Sequence, residues 1–208
     1  MTSLDIDKLV AKICQQTRIS LQRADWLGTS LEVKQRLLGR YGRAFLLHLT
    51  DNAGKSLLEI QVAIAIAYMR KNLLAEAEED HVGMLLSFLK SAGAITEEDH
   101  CHEVDRAVAQ VRKLLRKKRT KGLVGLAYMA ALENASLVFI PLLEDVAKSL
   151  GSGNLKYTRT HGAADAKHGE GAIVALKAEI EQGDYSKEEL QIVLQTFNAA
   201  RMILKAIF

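Results

Sequence analysis

The chain contains the stretch His161-Gly-Ala-Ala-Asp165-Ala-Lys-His168, near the start of its second-to-last predicted helix. A helix turns by about 100° per residue, so Asp165 lies about 40° from His161 and His168 about 20° from it on the other side. All three side chains therefore project from one narrow face of the helix. The same face continues into Ala172 and Leu176, which indicates that it points toward the core.

This stripe of side chains indicates a metal site. Imidazole nitrogens and carboxylate oxygens that point together into a core suit iron, manganese or zinc, and they suit calcium poorly. The alternative is a histidine pair on a solvated face, which would be the better interpretation for two such residues alone. Three residues on one stripe that leads into apolar positions favour the metal site.

Composition predicts one all-helical domain. With 208 residues and 49% apolar content, the chain can build one substantial core and is short for two, so we expect a single domain over residues 1–208. Apolar residues recur at spacings of three and four, and the sequence has a single proline, Pro141, and no convincing strand pattern. We therefore expect an all-α bundle of long helices.

Turn and capping residues divide this bundle into segments. Gly39 and Gly42 weaken the prediction for the middle of the second helix, and Pro141 is expected to kink the sixth. The helix from 81 to 91 is expected to continue the preceding one or to kink slightly away from it. The predicted helices cover residues 5–23, 31–49, 56–78, 81–91, 96–118, 121–149, 158–181 and 186–207.

Net charge and cysteine content indicate which partners the protein has and which cellular compartment it occupies. The net charge of +3 does not demand nucleic acid, and the cationic run from Arg112 to Lys121 complements a helix dipole. Cys14 and Cys101 form no recognisable pair, which favours reduced thiols in a cytoplasm. The N-terminus lacks the regions of a signal peptide, and the apolar stretch from about Ile60 to Met69 is interrupted by Gln61 and too short for a bilayer. We expect a soluble cytoplasmic protein with no nucleic-acid or membrane partner.

Glu133 is the first candidate for a further metal ligand. It is the only charged residue between Lys121 and Glu144. A carboxylate buried alone costs several kcal/mol or takes up a proton, so this position favours a nearby cation. The alternatives are a protonated Glu133 or one that is hydrogen-bonded to Tyr128 or Ser136.

The segment Glu78-Glu79-Asp80-His81 supplies the second candidate. Glu78 and His81 are three residues apart, which would place them on one helical face and repeats the Asp165-x-x-His168 spacing. Helical bundles that hold two metal ions use such carboxylate-x-x-His pairs together with carboxylates from other helices. Glu76 and Glu79 are alternatives to Glu78 if the helix is broken before His81.

Three further positions are weaker candidates. His48 is more typical of a core or interface histidine, and Glu59 could add a carboxylate from the long third helix. The cluster His100-Cys101-His102 could bind zinc adventitiously, but no complementary pair exists elsewhere in the sequence.

These motifs resemble the heme-oxygenase-like di-iron oxidases and their relatives of the TenA, PqqC and CADD type. The resemblance is carried by His161-x3-Asp165-x2-His168, by Glu133 in Ala-Leu-Glu-Asn-Ala-Ser and by Glu78-x2-His81. Order and approximate spacing hold over residues 40 to 180. The additional glutamate of some members has no clear counterpart, and the tyrosine and lysine that CADD-like proteins consume have no assigned position.

The resemblance implies a heme-oxygenase-like bundle of seven to eight helices that holds two irons per chain, with manganese as the alternative metal. His81 and His161 would bind one ion, and Asp165 and His168 the other. Glu78 and Glu133 would supply carboxylates, one of them bridging.

The function that follows is a non-heme di-iron oxidase or oxygenase, with dioxygen and a small amine, amino acid or fatty acid as substrates. We also expect a homodimer. The alternative functions are a non-catalytic helical protein that binds a metal or small ligand, and a purely structural or interaction bundle.

Overall fold

The structure, a computed structural model, describes residues 5–46, 54–96 and 101–208, with only the backbone at 46 and 163–165. Eight longer helices, a short helix at 54–57 and the 3-10 helix Lys118–Thr120 make up the described secondary structure, which contains no strand. The all-α prediction is confirmed, although these ten segments exceed the seven to eight predicted. The longer helices are α1 Ile6–Gln22, α2 Leu31–Leu46, α3 Ala63–Glu78, α4 His81–Ser91, α5 His102–Leu115, α6 Lys121–Ser149, α7 Lys156–Gln182 and α8 Lys187–Ile207.

Helix α6 is the centre of the bundle. It packs against α7 along most of its length and also against α1 and α8. The 32-residue segment Lys118–Ser149 is long and apolar enough to cross a membrane, but 83% of its most apolar window is buried inside the bundle. This burial is consistent with the core helix of a soluble protein. The helix continues through Pro141, whose side chain is exposed.

Helix α2 runs without interruption through Gly39 and Gly42. A Cβ on Gly39 would lie 1.6 Å from the carbonyl oxygen of Ile95, and one on Gly42 would lie 2.4 Å from Leu89 Cδ1. The two glycines are therefore packing residues, because the absence of a side chain lets α4 and the segment that follows it approach α2 closely. The Ile95 amide donates to the carbonyl of Gln35 across this contact, at 3.0 Å.

Helix α3 begins at Ala63, seven residues later than the sequence predicts. Its N-cap residue, Val62, makes no side-chain hydrogen bond to the helix. The amides of Gln61 and Val62 instead donate to the two carboxylate oxygens of Glu179 on α7, at 2.8 and 2.9 Å. A buried carboxylate from a distant helix therefore determines where α3 starts.

Candidate metal centre

A break between α3 and α4 positions the first histidine of the candidate site. Asp80 adopts a left-handed conformation, with φ 50° and ψ 49°, and its carboxylate accepts the Gly83 amide at 3.1 Å. Aspartate tolerates this conformation better than most residues and caps helices well. α4 is therefore a separate helix that starts after a break at 79–80, the case that the sequence left open for the choice of carboxylate, and it does not continue α3. Glu78 ends α3 with an exposed side chain and does not share a helical face with His81.

The buried imidazole of His81 lies between two other carboxylates of the acidic run. Its Nδ1 is 2.8 Å from Glu76 Oε1, and its Nε2 is 3.0 Å from Glu79 Oε2. The Glu76 hydrogen bond is the main reason that the pKa of His81 rises to about 9, and Glu79 adds to the rise. The hydrogen bond between Glu79 and His81 lowers the pKa of the exposed Glu79 carboxyl. Glu76 and Glu79, the alternatives left open by the sequence, are thus the carboxylates beside His81.

His161 on α7 contacts the ring of His81. The two rings are in edge contact with centroids 4.7 Å apart, and both side chains are buried. The ring of Tyr157, one turn earlier on α7, lies 4.4 Å from that of His161. Two imidazoles from different helices are therefore held together in the interior.

Glu133 is buried on α6, as its isolated position in an apolar sequence predicts. It lines a small cavity of about 20 Å³ together with His161, Phe139 and Tyr157. A single water needs roughly 10–15 Å³ on this measure, so the cavity can hold one water beside these residues. The sequence left open a hydrogen bond from Ser136 to the Glu133 side chain. The Ser136 hydroxyl instead donates to the backbone carbonyl of Glu133, at 2.6 Å.

His168 lies two turns after His161 and faces α3. Its backbone carbonyl accepts the hydroxyl of Tyr68 at 3.1 Å, and Tyr68 in turn accepts the side-chain amide of Asn72 at 3.0 Å. Burial raises the pKa of Tyr68, and the nearby charges of Glu133 and Glu76 raise it further. Tyr68 therefore lies within electrostatic range of two candidate ligands. Sequence analysis missed it, because a tyrosine in an apolar helix carries no spacing signal.

The remaining candidates are not brought into this site. Glu59 lies in the turn before α3, and its carbonyl packs on Gly122, whose added Cβ would be 2.7 Å away. Gly122 is eleven residues before Glu133 on α6, which corresponds to roughly 16 Å along the helix, so the backbone of Glu59 lies far from Glu133 and Glu59 stays a weak candidate.

Several predicted positions lie outside what the structure describes. His48 and His100 are outside the described residues, as is the side chain of Asp165, whose backbone belongs to α7. Cys101 is a buried free thiol at the start of α5, and the neighbouring His102 is exposed.

The donor set fits a metal in its chemistry and in part of its geometry. Among the described side chains, no three histidines, cysteines or acids are close enough to form a complete ion site. The 3.0 Å separation of His81 Nε2 and Glu79 Oε2 matches two neighbouring ligands of one ion, since bonds of about 2.1 Å at about 90° give the same spacing. Imidazoles and carboxylates from α3, α4, α6 and α7 are the donors that iron and manganese prefer.

Comparisons with protein-family models, with characterised proteins and with solved structures gave no match to this chain. The family resemblance drawn from the motif residues therefore stays a prediction.

The cluster around His81 predicts a pH-dependent stability of the metal-free protein. His81 titrates at a pKa of about 9 in the folded state, compared with about 6.5 when unfolded. The protonated ring therefore stabilises the fold fully below about pH 6.5, and this contribution disappears as the pH rises through about 9. Because Glu79 is exposed to solvent, we expect a loss of about 1–3 kcal/mol, less than the full shift implies.

Urea unfolding at several pH values measures this effect. The free energy of unfolding of the metal-free wild type should fall between pH 6.5 and 9, after subtraction of the His81→Gln profile. The exposed His102→Gln variant should keep the wild-type profile. Equal pH profiles for wild type and His81→Gln would contradict the cluster.

Proposed function

We propose that this protein is a metal-dependent oxidase or oxygenase of the heme-oxygenase-like type, with two irons per chain as its metal and manganese as the alternative. The observation that supports it most is the buried contact between the His81 and His161 rings, with Glu76 and Glu79 beside the first. A buried polar cluster of this kind is costly unless its members are paired with one another or with a cation, and a metal ion would satisfy all of them together. The free thiols Cys14 and Cys101 support a cytoplasmic location.

In this proposal the ligands come from four helices. His81 on α4 and His161 on α7 would hold one iron together with Glu79 or Glu76. Glu133 on α6 would supply a second carboxylate, and Asp165 and His168 on α7 would hold the other iron. Glu78 is the weakest member of the predicted set, because its side chain is exposed and the contacts with His81 are made by its neighbours.

The bound metal would supply the electrons and the open coordination positions that dioxygen activation needs. The chain's own residues would shape the environment of that chemistry. Phe139 and Tyr157 line the small cavity beside Glu133 and His161, so they would exclude bulk water from it. Tyr68 would hold the α7 backbone at His168 in place through its hydrogen bond to the carbonyl.

An anaerobic titration of metal-free protein with ferrous iron, followed by exposure to oxygen, tests this function. We expect about two irons bound per chain and then a transient visible band with oxygen uptake. Binding of two irons without any response to oxygen would reject the oxidase while leaving the metal site intact. No binding of ferrous or manganous ion would reject both.

A second candidate is a purely structural or interaction bundle, the alternative that needs no metal. It is favoured by the hydrogen bonds of His81, both of whose ring nitrogens have carboxylate partners without any metal. The protonated ring and its two carboxylates can account for the burial of this histidine on their own. Stability that chelators leave unchanged, together with absent oxygen uptake, would favour this candidate.

A further inference from the structure

A cleft between α1 and α8 lies apart from the candidate metal centre, and we call it the α1–α8 cleft. Its walls come from the last two turns of α1 and the last two turns of α8. Its volume is about 270 Å³, just below the range of roughly 300–1,000 Å³ that drug-sized ligands occupy. The cleft therefore suits a small molecule, and none of its lining residues belongs to the candidate metal centre.

Every charged side chain that lines this cleft is a cation. Arg23 lies directly after α1, and Arg201 and Lys205 lie one turn apart on α8. None of these three side chains forms an ion pair or a hydrogen bond with a described residue. By contrast, Arg43, which is half-buried like Arg201, pairs with Asp105 at 2.9 Å. Three cations therefore line one small cleft without a carboxylate partner from the part of the chain that the structure describes.

The lack of acidic residues extends along both walls of the cleft. The sequence contains lysines and arginines but no aspartate or glutamate from 8 to 24, and the same holds from 190 to 208. The positive potential of the cleft is therefore not cancelled by neighbours on either helix. A concave surface with charges of one sign concentrates ions of the opposite sign, so the cleft attracts anions.

The helix dipoles account for only part of this charge. Lys205 in the last turn of α8 and Arg23 just after α1 lie where a cation complements the negative end of a helix. Arg201 precedes the last turn of α8, where that effect has faded, and its side chain is half-buried. A half-buried guanidinium without an acidic partner is costly, and a bound anion would stabilise it.

Gln16 and Ser20 add neutral hydrogen-bond donors to the α1 wall. They lie four residues apart and therefore on one face of the helix. Neither side chain makes a hydrogen bond with a described residue, and their polar atoms stay accessible. The neighbouring Thr17 differs, because it is buried and donates its hydroxyl to the carbonyl of Ile13 at 2.8 Å. Gln16 and Ser20 are thus available to donate to a ligand.

We propose that the α1–α8 cleft binds a small molecule that carries a phosphate monoester group. The phosphate lies at the three cations and accepts the hydroxyl of Ser20, and Ile19 and Leu204 supply an apolar wall for the rest of the molecule. Guanidinium groups bind phosphate oxygens in pairs. A phosphate monoester carries close to two negative charges, which suits three cations better than the single charge of a carboxylate does.

Titration calorimetry of metal-free protein with phenyl phosphate tests this proposal at about pH 8, where the phosphate has lost its second proton. Benzoate presents a similar ring with one charge, and benzyl alcohol presents it without charge. We expect a single phenyl phosphate to bind per chain, benzoate to bind at least about 10-fold more weakly, and benzyl alcohol not to bind. Inorganic phosphate should compete with phenyl phosphate.

Substitutions in the cleft locate the binding site. Arg201→Met should weaken the binding of phenyl phosphate by at least about 10-fold, and Arg201→Lys by about 3- to 10-fold because the planar fork is lost. Ser20→Ala should weaken it by about 2- to 5-fold. Arg18→Met is the matched control, since it removes an exposed arginine of α1 that does not line the cleft, and it should bind within about 2-fold of wild type. Circular dichroism verifies the fold of each variant.

Vesicles of phosphatidylcholine with phosphatidic acid distinguish a lipid from a soluble ligand, because phosphatidic acid presents the same phosphate monoester. Sedimentation with these vesicles that Arg201→Met abolishes would assign the group to a lipid, whereas phenyl phosphate binding without sedimentation would assign it to a soluble molecule. The proposal is overturned if neither phenyl phosphate nor phosphatidic acid binds, if benzoate binds as tightly as phenyl phosphate, or if Arg18→Met weakens binding as much as Arg201→Met. Because the protein is metal-free in every titration, these outcomes do not depend on the proposed function.

Discussion

Replacing His161 by alanine is expected to lower the affinity of the chain for ferrous iron by at least about 100-fold, because a ligand whose ring lies beside His81 is lost. The fold should survive, since removing this buried ring costs about 2–3 kcal/mol, less than the roughly 5–15 kcal/mol typical of a domain. Iron per chain after anaerobic loading and desalting measures the effect, and far-ultraviolet circular dichroism verifies the fold.

Two further variants show whether this loss is specific to the proposed site. Glu133→Gln keeps the volume of the buried side chain but removes its charge, so iron content should fall while stability stays near that of wild type. His102→Ala changes an exposed histidine at the start of α5 and should leave iron content unchanged. If the His161, Glu133 and His102 variants all held the same iron, the ligand assignment would be wrong.

The sequence predicted the all-helical architecture because apolar periodicity is strong over most of the chain. It also predicted the burial of Glu133, His81 and His161, because each lies at an inward position of an amphipathic or apolar helix. These predictions depend on local spacing alone. Whether the side chains form a metal centre is a separate question, and the ferrous titration answers it.

The choice of carboxylate beside His81 could not be predicted in the same way. It depends on the conformation of one residue, Asp80, because the break there turns Glu78 outward and leaves Glu76 and Glu79 beside the ring. An acidic run of this kind is compatible with a continuous helix and with a broken one. Local periodicity does not distinguish the two.

The prediction of where α3 starts was wrong for a different reason. Apolar residues from Ser56 onward favour helix, but the amides of Gln61 and Val62 bond to Glu179, more than a hundred residues later in the sequence. A long-range cap of this kind has no local signature. In the sequence, Glu179 reads as one more acidic residue near the end of an amphipathic helix.

Replacement of Glu179 is expected to have the largest effect on the free energy of unfolding. Its side chain is completely buried, and it accepts the amides of Gln61 and Val62 and, at 2.5 Å, the hydroxyl of Tyr185. Burial and this hydrogen bond to Glu179 raise the pKa of Tyr185 well above its usual value. Removing the carboxylate would leave three donors without their acceptor, each at a cost of about 1–3 kcal/mol.

Glu179→Ala should therefore lower the free energy of unfolding by about 4 kcal/mol, a large part of the roughly 5–15 kcal/mol typical of a domain. Glu179→Gln should cost about half as much, because an amide oxygen still accepts but the amide nitrogen replaces an acceptor with a donor. Glu181→Ala, an exposed change two residues later on α7, is the matched control and should cost less than about 0.5 kcal/mol.

Urea unfolding followed by circular dichroism gives these free energies, and hydrogen exchange at the Gln61 and Val62 amides locates the effect. Exchange there should accelerate in Glu179→Ala, because the start of α3 loses its cap. Iron uptake should weaken in the same variant, because Glu76, a proposed ligand, lies on the helix whose start is loosened. If Glu179→Ala were as stable as Glu181→Ala, the capping role of Glu179 would be refuted.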